Sequence, residues 1–298
     1  YDAVIIHELW RFYNLLARIF IKKYFVFAHG QLDPFFKLNY FKALKKKIYW
    51  FLIEKKNLLH SKSLLLTSDL EKKQINKTYV NTHGIKKTIV TYGILKPKIN
   101  KKKTIKLFYK KFPKLYHKPF LLFMSRFHEK KGCEILIKSV KKILNKDLQI
   151  NILLAGPGSA YKNKIKNLSQ KLNLEQNLFW SDTLTGNLKW GAILSSQAMV
   201  LPSHGENFGV ALVESLSCQR PVLTTNKVCI YKIIKNYKAG FISENSENSF
   251  TNILIKYLNL NKNQIRKIRK NSEKCFDENF NLNKNNKFAL FLKKKLIE

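Results

Sequence analysis

Short apolar runs alternate along this chain with longer stretches in which apolar residues recur every three or four positions. The runs cover residues 1–6, 24–28, 63–67, 87–90, 120–125, 149–155, 178–180, 198–201, 222–225 and 239–243, and each reads as a buried strand. The stretches between them read as helices. Residues 10–22 carry Leu15, Leu16, Ile19 and Phe20 as their apolar positions, and a helix from Gly132 carries Cys133, Leu136, Ile137, Val140, Ile143 and Leu144 at helical period. Further helices are expected at 39–59, at 187–195 and from about Phe250, and Ser68-Asp69 can cap another. Asp33-Pro34, within QLDPFF, predicts a turn. Such alternation of strand and helix predicts an α/β protein. The lysine-rich stretch 96–116, with Pro97 and Pro113, is the expected domain boundary, dividing residues 1–112 from 113–281 and leaving a helix at 282–298.

The most informative stretch is AMVLPSHGENFGVALVESLSCQRPVLTT, residues 198–225. It predicts a strand, a turn at 202–205, a helix from near Asn207 to about Gln219, a stop at Pro221 and a further strand. The polar turn therefore lies at the carboxyl end of a strand, where open α/β sheets bind ligands. Glu206 precedes the helix and Glu214 lies two turns along it, a rise of ~12 Å. Between them the amides of Asn207, Phe208 and Gly209 would face outward at the helix start, as suits a phosphate, and Gly209 permits close approach of backbone to a ligand. A nucleoside diphosphate sugar fits this arrangement; so does an amphipathic helix with two solvated glutamates. Other strand ends carry His7, His29-Gly30, Arg126 and Gly156-Pro157-Gly158.

Charge widens the field of partners. Lys and Arg number 56 against 19 Asp and Glu, a formal net charge of +37. That favours nucleic acid, acidic lipid or sugar phosphates. The lysines are spread along the chain, and no helix-turn-helix, zinc or base-stacking motif accompanies them, so nucleic acid is not the expected partner. Residues 39–59 place Phe41, Leu44, Ile48, Phe51 and Leu52 on one face, among Lys45, Lys46, Lys47, Lys55 and Lys56. Such a helix either packs on its own domain or lies on an anionic membrane. The four cysteines form no C-x-x-C pair and read as reduced thiols of a cytoplasmic protein, with no metal site. No apolar stretch reaches the length of a membrane span, and no leader is expected.

Glu206 and Glu214, in the setting PSHGENFGVALVESLSCQRPV, resemble the E-x7-E motif of the family 4 retaining glycosyltransferases. The resemblance covers most of 118–242 and, more weakly, 1–94. It implies a GT-B fold: two Rossmann-like domains facing across a cleft, with the first incomplete, because no strand and glycine-rich loop precede Tyr1. It implies that Glu206 contacts the donor hexose, that Glu214 contacts the ribose, and that amides at Asn207, Phe208 and Gly209 meet sugar or phosphate. SRFHEKKG resembles the family's diphosphate clamp, which assigns Arg126 and Lys131 to the diphosphate, with Lys130 the neighbouring candidate. Gly156 would line the donor pocket, SDTLTGN would touch the base, and Thr91-Tyr92-Gly93 would form the interdomain turn. His29 matches a strand-end histidine near the reacting bond, and the C-terminal helix could return to the first domain. The implied activity is metal-independent transfer of a hexose from a UDP- or GDP-sugar to a glycan or lipid-linked saccharide, with the donor as the only small molecule required. Surface polysaccharide synthesis on the inner face of the plasma membrane is the expected setting. The alternatives are a sugar-nucleotide epimerase of the same fold and a basic nucleic-acid- or membrane-binding protein.

Overall fold

The computed structural model describes residues 2–34, 40–90, 92–285 and 287–297. Tyr1, Phe35 and Phe36 of the QLDPFF turn, Asn39 at the head of the basic helix, and Thr91 lie outside the described residues. In chain order the elements are β1 (Val4–His7), α1 (Phe12–Phe20), β2 (Tyr24–Phe27), α2 (Tyr40–Tyr49), α3 (Lys55–His60), β3 (Ser63–Leu66), α4 (Asp69–Ile75) and β4 (Lys87–Ile89). Then come α5 (Lys101–Lys111), β5 (Leu121–Met124), α6 (Cys133–Leu144), β6 (Ile152–Ala155), α7 (Ala160–Lys171), β7 (Leu178–Ser181), α8 (Gly186–Ser195) and β8 (Met199–Leu201). The chain continues through α9 (Val210–Ser217), β9 (Val222–Thr225), α10 (Tyr231–Asn236), β10 (Gly240–Ser243), α11 (Glu247–Leu258), α12 (Lys262–Asn279) and α13 (Lys287–Ile297). One π turn, Trp50–Glu54, joins α2 to α3.

Two compact units result, one running to Tyr92 and including α13, the other spanning Gly93–Asn285. The first is built on a parallel sheet of order β1-β2-β3-β4. Its two central strands, β2 and β3, are buried throughout, while the edge strands β1 and β4 are only partly covered. Tyr24, Val26, Leu64 and Leu66 pack with Leu9, Ala17, Trp50 and Leu58. Phe25, Phe27, Leu65 and Val90 pack with Phe288, Phe291 and Leu292 of α13.

Helix α1 departs from expectation. Leu16, Ile19 and Phe20 are exposed, while the buried residues are Asn14 and Ala17. A polar contact sets this orientation: Asn14 Nδ2 donates to Glu54 Oε1 at 2.8 Å and Asn57 Nδ2 donates to Glu54 Oε2 at 3.2 Å. A buried carboxylate is costly without such donors, so the helix turns its asparagine inward.

The second unit has a parallel sheet of order β10-β9-β8-β5-β6-β7. The boundary falls at Tyr92/Gly93 rather than within 96–116, and residues 282–285 belong to the second unit. The stretch read as a boundary is the helix α5, capped by Asn100, whose side chain accepts from Lys103 N. Phe108 on α5 is fully buried. Gly191 on α8 makes room for it; a Cβ there would lie 2.6 Å from Phe108 Cβ and 2.8 Å from Thr104 O. Residues entering and leaving the unit are pinned together, Ile94 N donating to Phe280 O at 2.8 Å and Leu282 N to Ile94 O at 3.2 Å. All four cysteines are buried and unpaired, Cys133 and Cys218 on core faces as their helical positions require.

Candidate active site

The strand order of the second unit reverses between β5 and β8, which are neighbours in the sheet but not in sequence. Loops leaving the carboxyl ends of two such strands diverge and open a crevice. Arg126 and Lys131 follow β5; Glu206 follows β8. Gly132 draws the two loops together: its φ is +68°, and a Cβ would sit 2.0 Å from Pro202 O. His204 N then donates to Lys130 O at 2.8 Å. The Lys131 ammonium meets the Glu206 carboxylate, with side chains only 14% and 17% exposed. The Glu206 backbone is fixed as well, its N donating to Lys227 O at 3.2 Å and its O accepting from Cys229 N at 2.9 Å. Of the two lysines after β5, Lys131 is therefore the one paired with Glu206.

The helix after Glu206 begins later than its sequence pattern predicts. α9 starts at Val210 because Gly209 takes the left-handed conformation, φ +70°, and Glu206 bridges to Val228 as extended chain. Asn207, Phe208 and Gly209 are thus a bend before the helix, and the helical rise expected between the two glutamates does not apply. The Phe208 side chain is buried edge-on to Phe280, ring centroids 5.7 Å apart. The first helical amides are those of Val210 and Ala211. Glu214 sits on α9 and accepts from Lys189 Nζ of α8 at 2.6 Å. Each glutamate therefore holds its own lysine. Arg126 is exposed at the end of β5.

Gly156 packs rather than projects; a Cβ would lie 2.0 Å from Ser125 O. Beside it Lys162, buried on α7, donates to Gly156 O at 2.9 Å, Ser181 O at 2.8 Å and Asp182 Oδ1 at 2.9 Å. This ammonium ties the carboxyl ends of β6 and β7 together. Neither Lys162 nor Lys189 stood out in the sequence. Ser159 caps α7 by accepting from Lys162 N, which marks the start of the helix but not the burial of the ammonium.

In the first unit the carboxyl ends of β1 and β2 bring His7 and His29 together, Nδ1 to Nε2 at 2.8 Å. Phe27 stacks on both rings and Tyr92 meets His29 edge-on. Burial first, then the neighbouring His7, holds the His29 imidazole below its ordinary value, against an upward pull from Glu8. One proton serves the pair's hydrogen bond, so the two rings cannot both be cationic and stay bonded. Glu8, Trp10 and His29 all have positive φ, at 80°, 66° and 47°, a conformation L-residues adopt at a cost. Buried carboxylates hold these turns: Glu54 Oε1 accepts from Trp10 N at 3.3 Å, and Glu71 accepts from Gly30 N at 3.2 Å and Thr67 N at 2.6 Å.

Glu54 yields a stability prediction. Burial raises its pKa against the hydrogen bonds from Asn14, Trp10 and Asn57. The folded state thus holds this proton more tightly than the unfolded chain does, and its contribution to stability falls as pH rises from the ordinary carboxylate value through the raised one. Asn57 Oδ1 is a buried acceptor with no partner. Glu54→Gln supplies a neutral amide that can donate to it after Asn57 flips. Urea titrations should find the variant at least as stable as the parent at pH 8, with the advantage vanishing toward pH 4. A clear loss at pH 8 contradicts this account.

A family model described as "Glycosyl transferases group 1" matches residues 104–275. An uncharacterized glycosyltransferase of Methanocaldococcus jannaschii is 29% identical over 170 residues, which is 55% of this chain and 45% of that protein. The matched stretch thus spans less than half of that relative's length. A solved sucrose-phosphate synthase from Thermosynechococcus elongatus has a TM-score of 0.78 at 18% identity, covering 100% of this chain and 74% of its own. HepE of Anabaena, solved in complex with UDP and glucose, also scores 0.78, at 16% identity over 99% of this chain and 78% of that one. Likeness at these identities shows the fold, which is GT-B.

Proposed function

Because this chain belongs to the group 1 glycosyl transferases, we propose that it moves a hexose from a UDP- or GDP-sugar to a hydroxyl of a glycan or lipid-linked saccharide. In this reading the transfer retains anomeric configuration and requires no metal and no cofactor besides the donor. It serves surface polysaccharide synthesis on the cytoplasmic side of a membrane. The observation that carries the reading is the pairing of Lys131 with Glu206 at the switch point of the six-stranded sheet, flanked by Lys189 with Glu214. These are opposed charges that a donor with hydroxyls at both ends and phosphates between can enter.

Arg126 and Lys131 meet the diphosphate, whose charge grows as the glycosidic bond breaks. Arg offers a planar fork to two phosphate oxygens, and Lys a mobile point charge. Glu206 accepts from hexose hydroxyls and Glu214 from the ribose. Amides from Asn207 to Ala211 face sugar or phosphate, with Val210 and Ala211 at the positive end of α9. His29 orients sugar hydroxyls. The bond from the anomeric carbon to the phosphate oxygen breaks, the acceptor oxygen bonds the carbon on the same face, and the acceptor's proton passes to the departing phosphate oxygen.

A thermal-shift panel of UDP, GDP, ADP and their sugars tests the donor, with UDP-glucose tried first because HepE holds UDP and glucose. One diphosphate is expected to raise the melting midpoint, and transfer from its sugar is expected to persist in EDTA. If no nucleotide stabilises the protein, the reading fails. If the donor is converted to an epimer without acceptor, the reaction is epimerisation instead.

A further inference from the structure

The helical segment from α2 through the π turn to α3 has two unlike faces. Its inward face carries Trp50, Glu54, Asn57 and Leu58, all buried. Its outward face carries Phe41, Leu44, Ile48, Phe51 and Leu52, all exposed, with Phe41 at 80% and Phe51 at 76%. The segment thus packs on its own unit through that inward face, as one of the two dispositions expected for residues 39–59, and leaves the apolar stripe uncovered. Lys45, Lys47 and Lys56 are exposed around the stripe, while Lys46 turns back over the Trp10 ring at 4.9 Å. Within 40–60 the one carboxylate is Glu54, and it is buried. The outward face thus presents apolar side chains and positive charge without any acid. Among the described residues no helix is long and apolar enough to cross a membrane, so a helix of this kind can lie along a bilayer but not span it.

We propose that this face docks on the surface of an anionic lipid bilayer. Phe41, Ile48, Phe51 and Leu52 enter the acyl boundary while Lys45, Lys47 and Lys56 reach the headgroup phosphates. Charge complementarity selects lipid as the occupant: each lysine near an anionic surface adds attraction, and the whole chain carries +37. A second copy of the same face would bring lysines against lysines. The inference deepens the reading of a lipid-linked acceptor and rests on that reading for its purpose. Docking would bring the enzyme to a substrate that never leaves the membrane.

Co-sedimentation with vesicles of phosphatidylcholine alone, and of equal parts phosphatidylcholine and phosphatidylglycerol, tests it. The full chain is expected to bind the anionic vesicles and, at most weakly, the neutral ones. Phe41→Gln/Phe51→Gln, both at exposed positions, is expected to weaken anionic binding by ~30-fold, while its UDP or GDP thermal shift stays that of the parent. Anionic binding unchanged in the double variant would mean adsorption by net charge alone and overturn the proposal. So would equal binding to both vesicles, no binding to either, or concentration-dependent dimerisation abolished by the variant. The nucleotide shift is read separately, so failure of the docking surface and failure of the donor reading cannot be confused.

Discussion

Lys131→Ala is expected to lower kcat/KM for sugar transfer by about 10²–10³-fold while the protein stays folded. That range is typical when one preorganised charge facing a departing anion is removed. Lys131 is suited to this role because it is held, not merely present. Gly132 fixes the loop behind it and Glu206 holds its ammonium. Its loss leaves the Glu206 carboxylate without its lysine at a mostly buried position, at a cost of about 1–3 kcal/mol, so the melting midpoint should fall by about 2–12 °C. Glu206→Gln should reduce transfer too, through the hexose. Because the two side chains act on each other, the double variant should be scarcely worse than the poorer single one. Lys130→Ala is the comparison that decides the residue. The Lys130 backbone carbonyl accepts from His204 N, and alanine keeps that hydrogen bond. Near-parental turnover in Lys131→Ala, with loss in Lys130→Ala, would move the diphosphate contact one residue back.

Much of this is legible in the chain because buried parallel strands leave short apolar runs whose length and flanking turn residues set them apart from helices. The run 198–201 and the polar turn after it located Glu206 at a strand end, and the six-stranded sheet places that end beside the one bearing Arg126 and Lys131. What stayed hidden depends on contacts between distant residues. Lys189 and Lys162 are two among 56 basic residues, and only the fold shows that one meets Glu214 and the other is buried among carbonyls. The start of α9 lies later than the local pattern predicts because Glu206 is bound to residues 227 and 229 across a loop, which no local pattern records. The stretch 96–116 looked like a linker because its surface is lysine, yet Phe108 and Gly191 lock α5 into the second unit. Helix α1 was read by its apolar residues and buried its asparagine instead, drawn by Glu54. In each case a tertiary partner outweighed a local preference that the sequence stated correctly.

Gly132→Ala is expected to be the most disruptive single-methyl change in the second unit's site, costing about 4 kcal/mol or more and abolishing donor binding. Two effects add. An alanine at φ +68° is strained whatever surrounds it. Its methyl would also lie 2.0 Å from Pro202 O, and that atom is backbone and cannot rotate away. The loop after β5 must therefore lift from the loop after β8. Lifting it breaks the His204–Lys130 hydrogen bond and carries Lys131 away from Glu206, so stability and diphosphate affinity fall together. Gly158→Ala is the control: a Cβ there meets nothing within 4 Å, and its φ is not positive, so alanine should leave the melting midpoint nearly unchanged. Urea denaturation and UDP or GDP thermal shifts on the two variants separate the outcomes. If Gly132→Ala retains both parental stability and nucleotide binding, the contact with Pro202 does not hold the loops together, and the Lys131–Glu206 pair must owe its geometry to something else.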